Sequence, residues 1–218
     1  MTGLAAARVF AIFVDNSSPA RHNNREVNFM ASKVLSRHRL QSMAQCAIFA
    51  AILCILSPIS VPIGPIPISL GAFAVMLTGI VLGWKKGAIS VLVYLLLGLC
   101  GLPVFAGWVS GITALPGPTG GYLWSFLPMA AIIGYLSNKH WENQFYAIVF
   151  AALACIPGII VCYFLGTLQF VLLTGSTWQA ALPVCVTPFI PFDCAKAVCA
   201  AAIGVPVRTL LQKAGYLR

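Results

Sequence analysis

The amino-acid sequence predicts an all-α membrane protein with six transmembrane helices and both termini cytoplasmic. Three observations predict it. Of 218 residues, 60% are hydrophobic and only 8% are Asp, Glu, Lys or Arg, against about 25% charged in an ordinary soluble domain. The apolar residues gather into six runs, each near the ~20 residues that a bilayer core demands. The Lys and Arg residues between those runs occupy alternate connections only, which is the signature of loops retained on the cytoplasmic side. A soluble domain of this size needs charge over most of its surface, and 13 Lys+Arg with 4 Asp+Glu cannot cover it. Mean hydropathy is +0.95.

The chain opens on a stretch unlike the rest. Residues 1–40 read as a polar N-terminal extension and residues 41–218 as the membrane domain. The extension holds one apolar run, 4–14, too short to span. Arg8 lies inside that run instead of before it, so the run is not expected to be a signal peptide. Residues 1–29 are expected to be disordered or absent from the protein. Met30 is a plausible alternative start, because Lys33, Arg37 and Arg39 then lead directly into the first apolar segment.

The apolar segments are 41–57, 66–83, 88–105, 121–136, 145–173 and 188–207. The fifth is long enough to tilt. Transmembrane strands would alternate polar and apolar positions, and these segments do not. Lys85 and Lys86 join the second to the third, Lys139 and His140 the fourth to the fifth, and Arg208, Lys213 and Arg218 follow the sixth. The other connections, 58–65, 106–120 and 174–187, contain no Lys or Arg. Both termini therefore fall on the cytoplasmic side. The +9 net charge is dispersed among these loops, which excludes the single basic face of a nucleic-acid-binding protein.

Two of the uncharged connections are rich in Pro and Gly yet apolar: 57–67 and 101–121. They cannot be helical throughout. Irregular backbone near a membrane is tolerated where it is buried in protein or lines a cavity. The expectation is a lid over a pocket open to the outer face.

Two charges remain unexplained by topology. Asp193 and Lys196 stand inside the sixth segment, three residues apart and so on one helix face. Each would cost about 2.5–3.5 kcal/mol facing lipid at mid-membrane, so both must face the bundle interior. Asp193 also falls in the first turn after Pro191, where a helix favours an anion. The pair is either a structural ion pair or a recognition site, in which Asp accepts from ligand N–H groups and Lys donates to an oxygen. Gly117-Pro118-Thr119-Gly120-Gly121-Tyr122 opens the fourth segment, and its glycines allow close approach of backbone to a ligand. It is not a phosphate-binding P-loop, since no Lys-Ser or Lys-Thr follows. Ala47 and Ala51 form a small-x-x-x-small pair whose default reading is internal packing. The eight cysteines lie mostly in apolar runs without metal-ligand spacing and read as small hydrophobes. No metal, cofactor or catalytic residue is expected, because no nucleophile–base constellation exists.

Together these motifs resemble the BioY family, the biotin-specific substrate-binding (S) components of energy-coupling-factor transporters. Four stretches carry the resemblance: residues 62–70; Tyr94-Leu95-Leu96-Leu97-Gly98 with residues 101–107; residues 117–123; and Phe192-Asp193 with Lys196. The resemblance spans about residues 44–213. It implies biotin as ligand, a pocket near the outer face, and residence in the bacterial cell membrane. It also implies a transmembrane coupling subunit and two ATPase subunits as partners, with ATP hydrolysed there. Onto this sequence it carries Ser69, Tyr94, Phe105, Thr119, Gly120, Tyr122, Phe192, Asp193 and Lys196 as binding residues, and Ala47 and Ala51 as the contact with the coupling subunit. Biotin's ureido ring offers two N–H donors and a carbonyl, which suit Asp193 and Lys196, and aromatics suit its apolar ring. The family often has Thr and then Gln where Ser69 and Gly71 stand, and a polar side chain near Gly107 and Trp108, so a ligand hydrogen bond is lost or replaced at each place. Two further readings are an S component for another small vitamin and a non-transport intramembrane protein.

Overall fold

The computed structural model describes residues 39–62, 66–138 and 143–217. Expectations for the N-terminal extension and Met30 lie outside the described residues, as do the roles given to Lys139 and His140 and part of the first Pro-rich loop. Contacts divide the chain into 1–43 and 44–218. Of the first unit only residues 39–43 are described, as the opening of helix α1 (Arg39–Leu56).

The second unit continues α1 into a two-residue antiparallel ladder, β1 (Ser60–Val61) with β2 (Ile68–Ser69), in which Ser60 faces Ser69. Then come α2 (Gly71–Leu99), α3 (Gly120–Leu136), α4 (Gln144–Thr174), the short α5 (Trp178–Cys185) and α6 (Ile190–Lys213). Helices α1, α4 and α6 are long and apolar enough to cross a membrane, as is α2 if its 29 residues are taken as one run, and α3 is apolar over 17 residues. The protein is an all-α, multi-pass membrane protein.

Helix α2 is broken at Gly83, whose φ of 77° and ψ of −178° only glycine adopts readily. The chain folds back there. Gly87 backs onto Gly79 so closely that a Cβ on it would lie 3.4 Å from the Gly79 Cα. In an unbroken helix residues eight apart stand about 12 Å apart. The arms 71–82 and 84–99 therefore form a hairpin with Lys85 at its tip. This matches the break expected between the second and third apolar segments.

Contacts along the helices fix their sense. Lys86 Nζ donates to Gln45 Oε1 at 2.8 Å, and the Ser57 and Tyr94 hydroxyls meet at 2.6 Å, so α1 and the second arm of α2 run in the same direction. On α3, Gly134 lies against Gly83 and Trp84, while Phe126 lies against Gly71. Helix α4 runs opposite to α3: Gly121 faces Leu165 and Gly158 faces Ile133. On α6, Gly204 packs on Ile80, and Arg208 Nη1 donates to the carbonyls of Ile80 at 2.9 Å and Ser137 at 3.1 Å. Arg208 thus sits at the Lys85 end of the bundle. Asp193, fifteen residues earlier on the same helix, sits about 22 Å away at the opposite end.

Two sequence expectations are corrected, and one uncharged connection gains a helix the sequence reading did not describe. The third apolar segment was expected to run to Phe105, but the helix stops at Leu99. Pro103 cannot donate to a helix, Gly101 has φ 102°, and Val104 and Phe105 turn into the core instead of facing lipid. The connection 174–187 is not bare loop. It contains α5, whose N-cap Thr177 accepts from Ala180 N–H and whose Ala181 and Cys185 are buried. Ala47 and Ala51 do not pack internally. Both lie exposed on the face of α1 that also shows Ile48 and Ile55.

Candidate functional site

A cavity of about 220 Å³ lies at the end of the bundle away from Lys85. It is somewhat smaller than the usual small-molecule pocket, which suits one compact metabolite at most. Both Pro/Gly-rich connections wall it: the first supplies Ser57, Ile66 and Pro67, with Ser69 of β2 just after it, and the second Phe105, Ala106 and Thr119 among others. Helices α3, α4 and α6 complete it with Tyr122, Phe126, Tyr163, Phe189, Asp193 and Lys196.

The charge in this cavity is confined to one pair. Lys196 Nζ donates to Asp193 Oδ1 at 2.9 Å, and the Tyr163 hydroxyl donates to Asp193 Oδ2 at 2.8 Å. Asp193 is 5% exposed, as the cost of a lipid-facing charge requires. Each Asp193 oxygen thus holds one donor and keeps further lone-pair capacity for a ligand. Lys196 carries three donor protons, one of them used here.

The other polar groups are arranged around this pair. Ser69 Oγ accepts from Gly71 N–H at 3.2 Å, which leaves its own proton available to an acceptor in the cavity. Tyr122 donates to the Cys185 carbonyl at 2.8 Å, tying α3 to α5, and its ring stacks on Phe189 at 6.2 Å. Burial pushes the Cys185 thiol up from its ordinary value, so it stays protonated at neutral pH. Gln169 on α4 holds the second loop in place by donating to the Leu115 carbonyl at 2.6 Å and the Gly117 carbonyl at 2.9 Å.

Of the residues singled out from sequence, Ser69, Phe105, Thr119, Tyr122, Asp193 and Lys196 line the cavity. Three do not. Tyr94 is fully buried behind the wall, where it bonds Ser57 and meets the Phe105 ring edge-on at 5.7 Å. Gly120 lies against the second loop, where a Cβ would fall 1.7 Å from the Leu115 carbonyl oxygen. Phe192 is 49% exposed on the outer side of α6, and the cavity takes Phe189 in its place. The i, i+4 relation explains the exchange, since Phe189 shares a face with Asp193 and Phe192 does not. Tyr163 was not recognised from sequence. An aromatic inside a long apolar helix carries no mark of which face it occupies. Only the search for a hydrogen-bond partner for Asp193 one helix away could have raised it.

The BioY family model matches residues 26–213. This chain belongs to the BioY family. Among relatives of this BioY chain is the biotin transporter BioY of Thermotoga maritima, 36% identical over 171 residues that cover 78% of this chain and 98% of that one. The biotin transporter BioY2 of Lactococcus lactis subsp. cremoris is 37% identical over 167 residues, covering 77% of this chain and 90% of that one. A crystal structure of the S-component for biotin from an ECF-type ABC transporter superimposes with a TM-score of 0.69 at 30% identity, over 79% of this chain and 93% of that one. The relatives are named transporters, and this BioY chain is not an enzyme.

The departures from the family pattern acquire a structural setting. At Gly71 a Cβ would stand 2.7 Å from Ser57 Oγ and 3.1 Å from Ser69 Oγ, so two hydroxyls fill the space that a longer side chain would enter. Gly107 adopts φ 73° and ψ 23°, followed by Trp108 at φ 63°. This left-handed turn is held by Gly107 N–H donating to the Pro58 carbonyl at 3.2 Å and by the Phe105–Val109 bridge. It aims Phe105, Ala106 and Val109 into the cavity and leaves Trp108 exposed.

Proposed function

We propose that this chain captures biotin with high affinity as the S component of an energy-coupling-factor transporter in the bacterial cell membrane. One observation carries the reading. The paired charges Asp193 and Lys196, the first buried and the second largely so, stand side by side in the wall of a cavity whose other lining is mostly apolar and aromatic, with a few hydroxyls. An adjacent acceptor and donor match the N–H and C=O edge of the ureido ring, with Asp193 accepting and Lys196 donating. Phe105, Tyr122 and Phe189 enclose the apolar thioether ring. Ser69 and Thr119 supply further polar contacts at the loops.

The same reading gives the membrane arrangement. The two arms of the α2 hairpin cross separately, so α1, both arms, α3, α4 and α6 make six crossings. Lys85, Lys86 and Lys213 mark the cytoplasmic side, and the cavity opens outward. The family resemblance supplies the partners, a transmembrane coupling subunit and two ATPase subunits, and this chain itself carries no P-loop. The exposed Ala47 and Ala51 on α1 support a contact with the coupling subunit, where small side chains permit close helix approach.

Purified protein titrated with radiolabelled biotin should bind it saturably, and excess thiamine or riboflavin should leave that binding unchanged. Displacement by another vitamin would move the assignment to a sister S component. Absence of binding at saturating micromolar biotin would reject the reading.

A further inference from the structure

We propose that Tyr163 is the positioning residue of the binding site, orienting the Asp193 carboxylate for the ligand through its hydroxyl. The inference rests on the reading that Asp193 accepts from ligand N–H groups.

Tyr163 reaches Asp193 from a different helix, α4, and donates to Oδ2 at 2.8 Å while Lys196 donates to Oδ1 at 2.9 Å from one turn along α6. Two donors from two directions pin the carboxylate in a way that neither does alone. Lys196 sits on a flexible four-carbon stem, and its head must also serve the ligand. The phenol ring is rigid and fixed between helices, so it holds the carboxylate plane when Lys196 shifts to meet an incoming oxygen. A recognition group held in place before binding loses less freedom on binding.

The far side of the Tyr163–Asp193 contact explains why a tyrosine performs this task. Both residues also wall a second, wholly apolar groove between α4 and α6, lined by Ile156, Ile160 and Ile190. Those three side chains are exposed on the bundle's outer surface, which in a membrane faces lipid. No water on that side can replace a missing donor, and Tyr163 lines both the groove and the cavity. A serine or threonine at this position would reach too short a distance to hold the carboxylate.

The test is Tyr163→Phe, which keeps the ring and removes only the hydroxyl. Wild-type protein must first bind biotin. If it does not, the ligand assignment fails and this inference is not what has failed. With wild-type binding in hand, Tyr163→Phe should bind biotin about tenfold more weakly while unfolding at an unchanged temperature. In an Asp193→Asn background the same substitution should cost less than twofold, because the group it orients is gone. Affinity within twofold of wild type, or an equal loss in both backgrounds, would overturn the proposal. Where Asp193→Asn binds too weakly to titrate, infrared difference spectra of the ligand-free proteins decide. The carboxylate stretch that disappears in Asp193→Asn should shift in Tyr163→Phe, and an unshifted stretch would overturn the proposal.

Discussion

The two ends of α6 carry charge for different purposes. Near its start, Asp193 and Lys196 satisfy one another beside an open cavity and keep unused hydrogen-bonding capacity directed into it. Near its other end, Arg208 is half-buried and faces no acid among the described residues. Its guanidinium donates to the Ile80 and Ser137 carbonyls and to Asn138 Oδ1. Ser137 closes α3, and Ile80 lies in the last turn of the first arm of α2 before Gly83. Arg208 therefore fastens the ends of two helices to a third, where a cation also complements the partial negative charge of helix C-termini. A charge whose bonds tie helix ends together builds the fold. A charge pair with capacity to spare at a cavity builds a site.

Substitutions at the two ends should separate along that line. The largest effect is expected at the pair: Asp193→Asn and Lys196→Met should each weaken biotin binding at least tenfold, measured by equilibrium titration, because each leaves its partner buried without a counter-charge. Near-native affinity in both would place the site elsewhere. Next is Gly98→Ala, whose new methyl would come within 2.1 Å of the Phe105 ring. Overpacking of this kind costs about 1–3 kcal/mol. Phe105 would be pushed into the cavity, so a several-fold loss of affinity should accompany the loss of thermal stability. Arg208→Met should lower stability by about 2 kcal/mol, for the buried carbonyls it leaves without donors. Its biotin affinity should stay within twofold, and a large affinity loss in folded Arg208→Met protein would erase the distinction between the two ends. The smallest effect is Tyr94→Phe. It removes the hydrogen bond to Ser57 and should cost about 1 kcal/mol of stability, with affinity changed less than threefold because Tyr94 stands behind the cavity wall.

How much of this was legible in the sequence differs between backbone and site. The helical segments and their order followed from apolar runs and Lys/Arg placement, and the turn at Gly83 was marked by Lys85 and Lys86. Asp193 and Lys196 were legible because charge inside an apolar run demands an interior partner. The aromatic lining was less so. Hydrophobicity does not distinguish a ring that faces lipid from one that faces a cavity, and both occur in every membrane helix. Phe192 was chosen over Phe189 because it adjoins Asp193 in sequence, whereas helical geometry puts the shared face four residues back. The segment ending at Phe105 was overextended for the same reason: Val104 and Phe105 are apolar for the core they enter. Gly120 and Tyr94 were tied to the ligand through a motif, but one admits the Leu115 carbonyl and the other supports Phe105. Tyr163 became visible only when α4 and α6 stood side by side.

The most direct measurement is calorimetric titration of biotin into the purified chain, with Asp193→Asn run in parallel. The account predicts saturable binding of one biotin per chain by the wild type and a loss of at least tenfold in the variant, measured on the fraction that remains folded. A wild-type chain that binds no biotin, or a variant that binds as tightly as wild type, would contradict it.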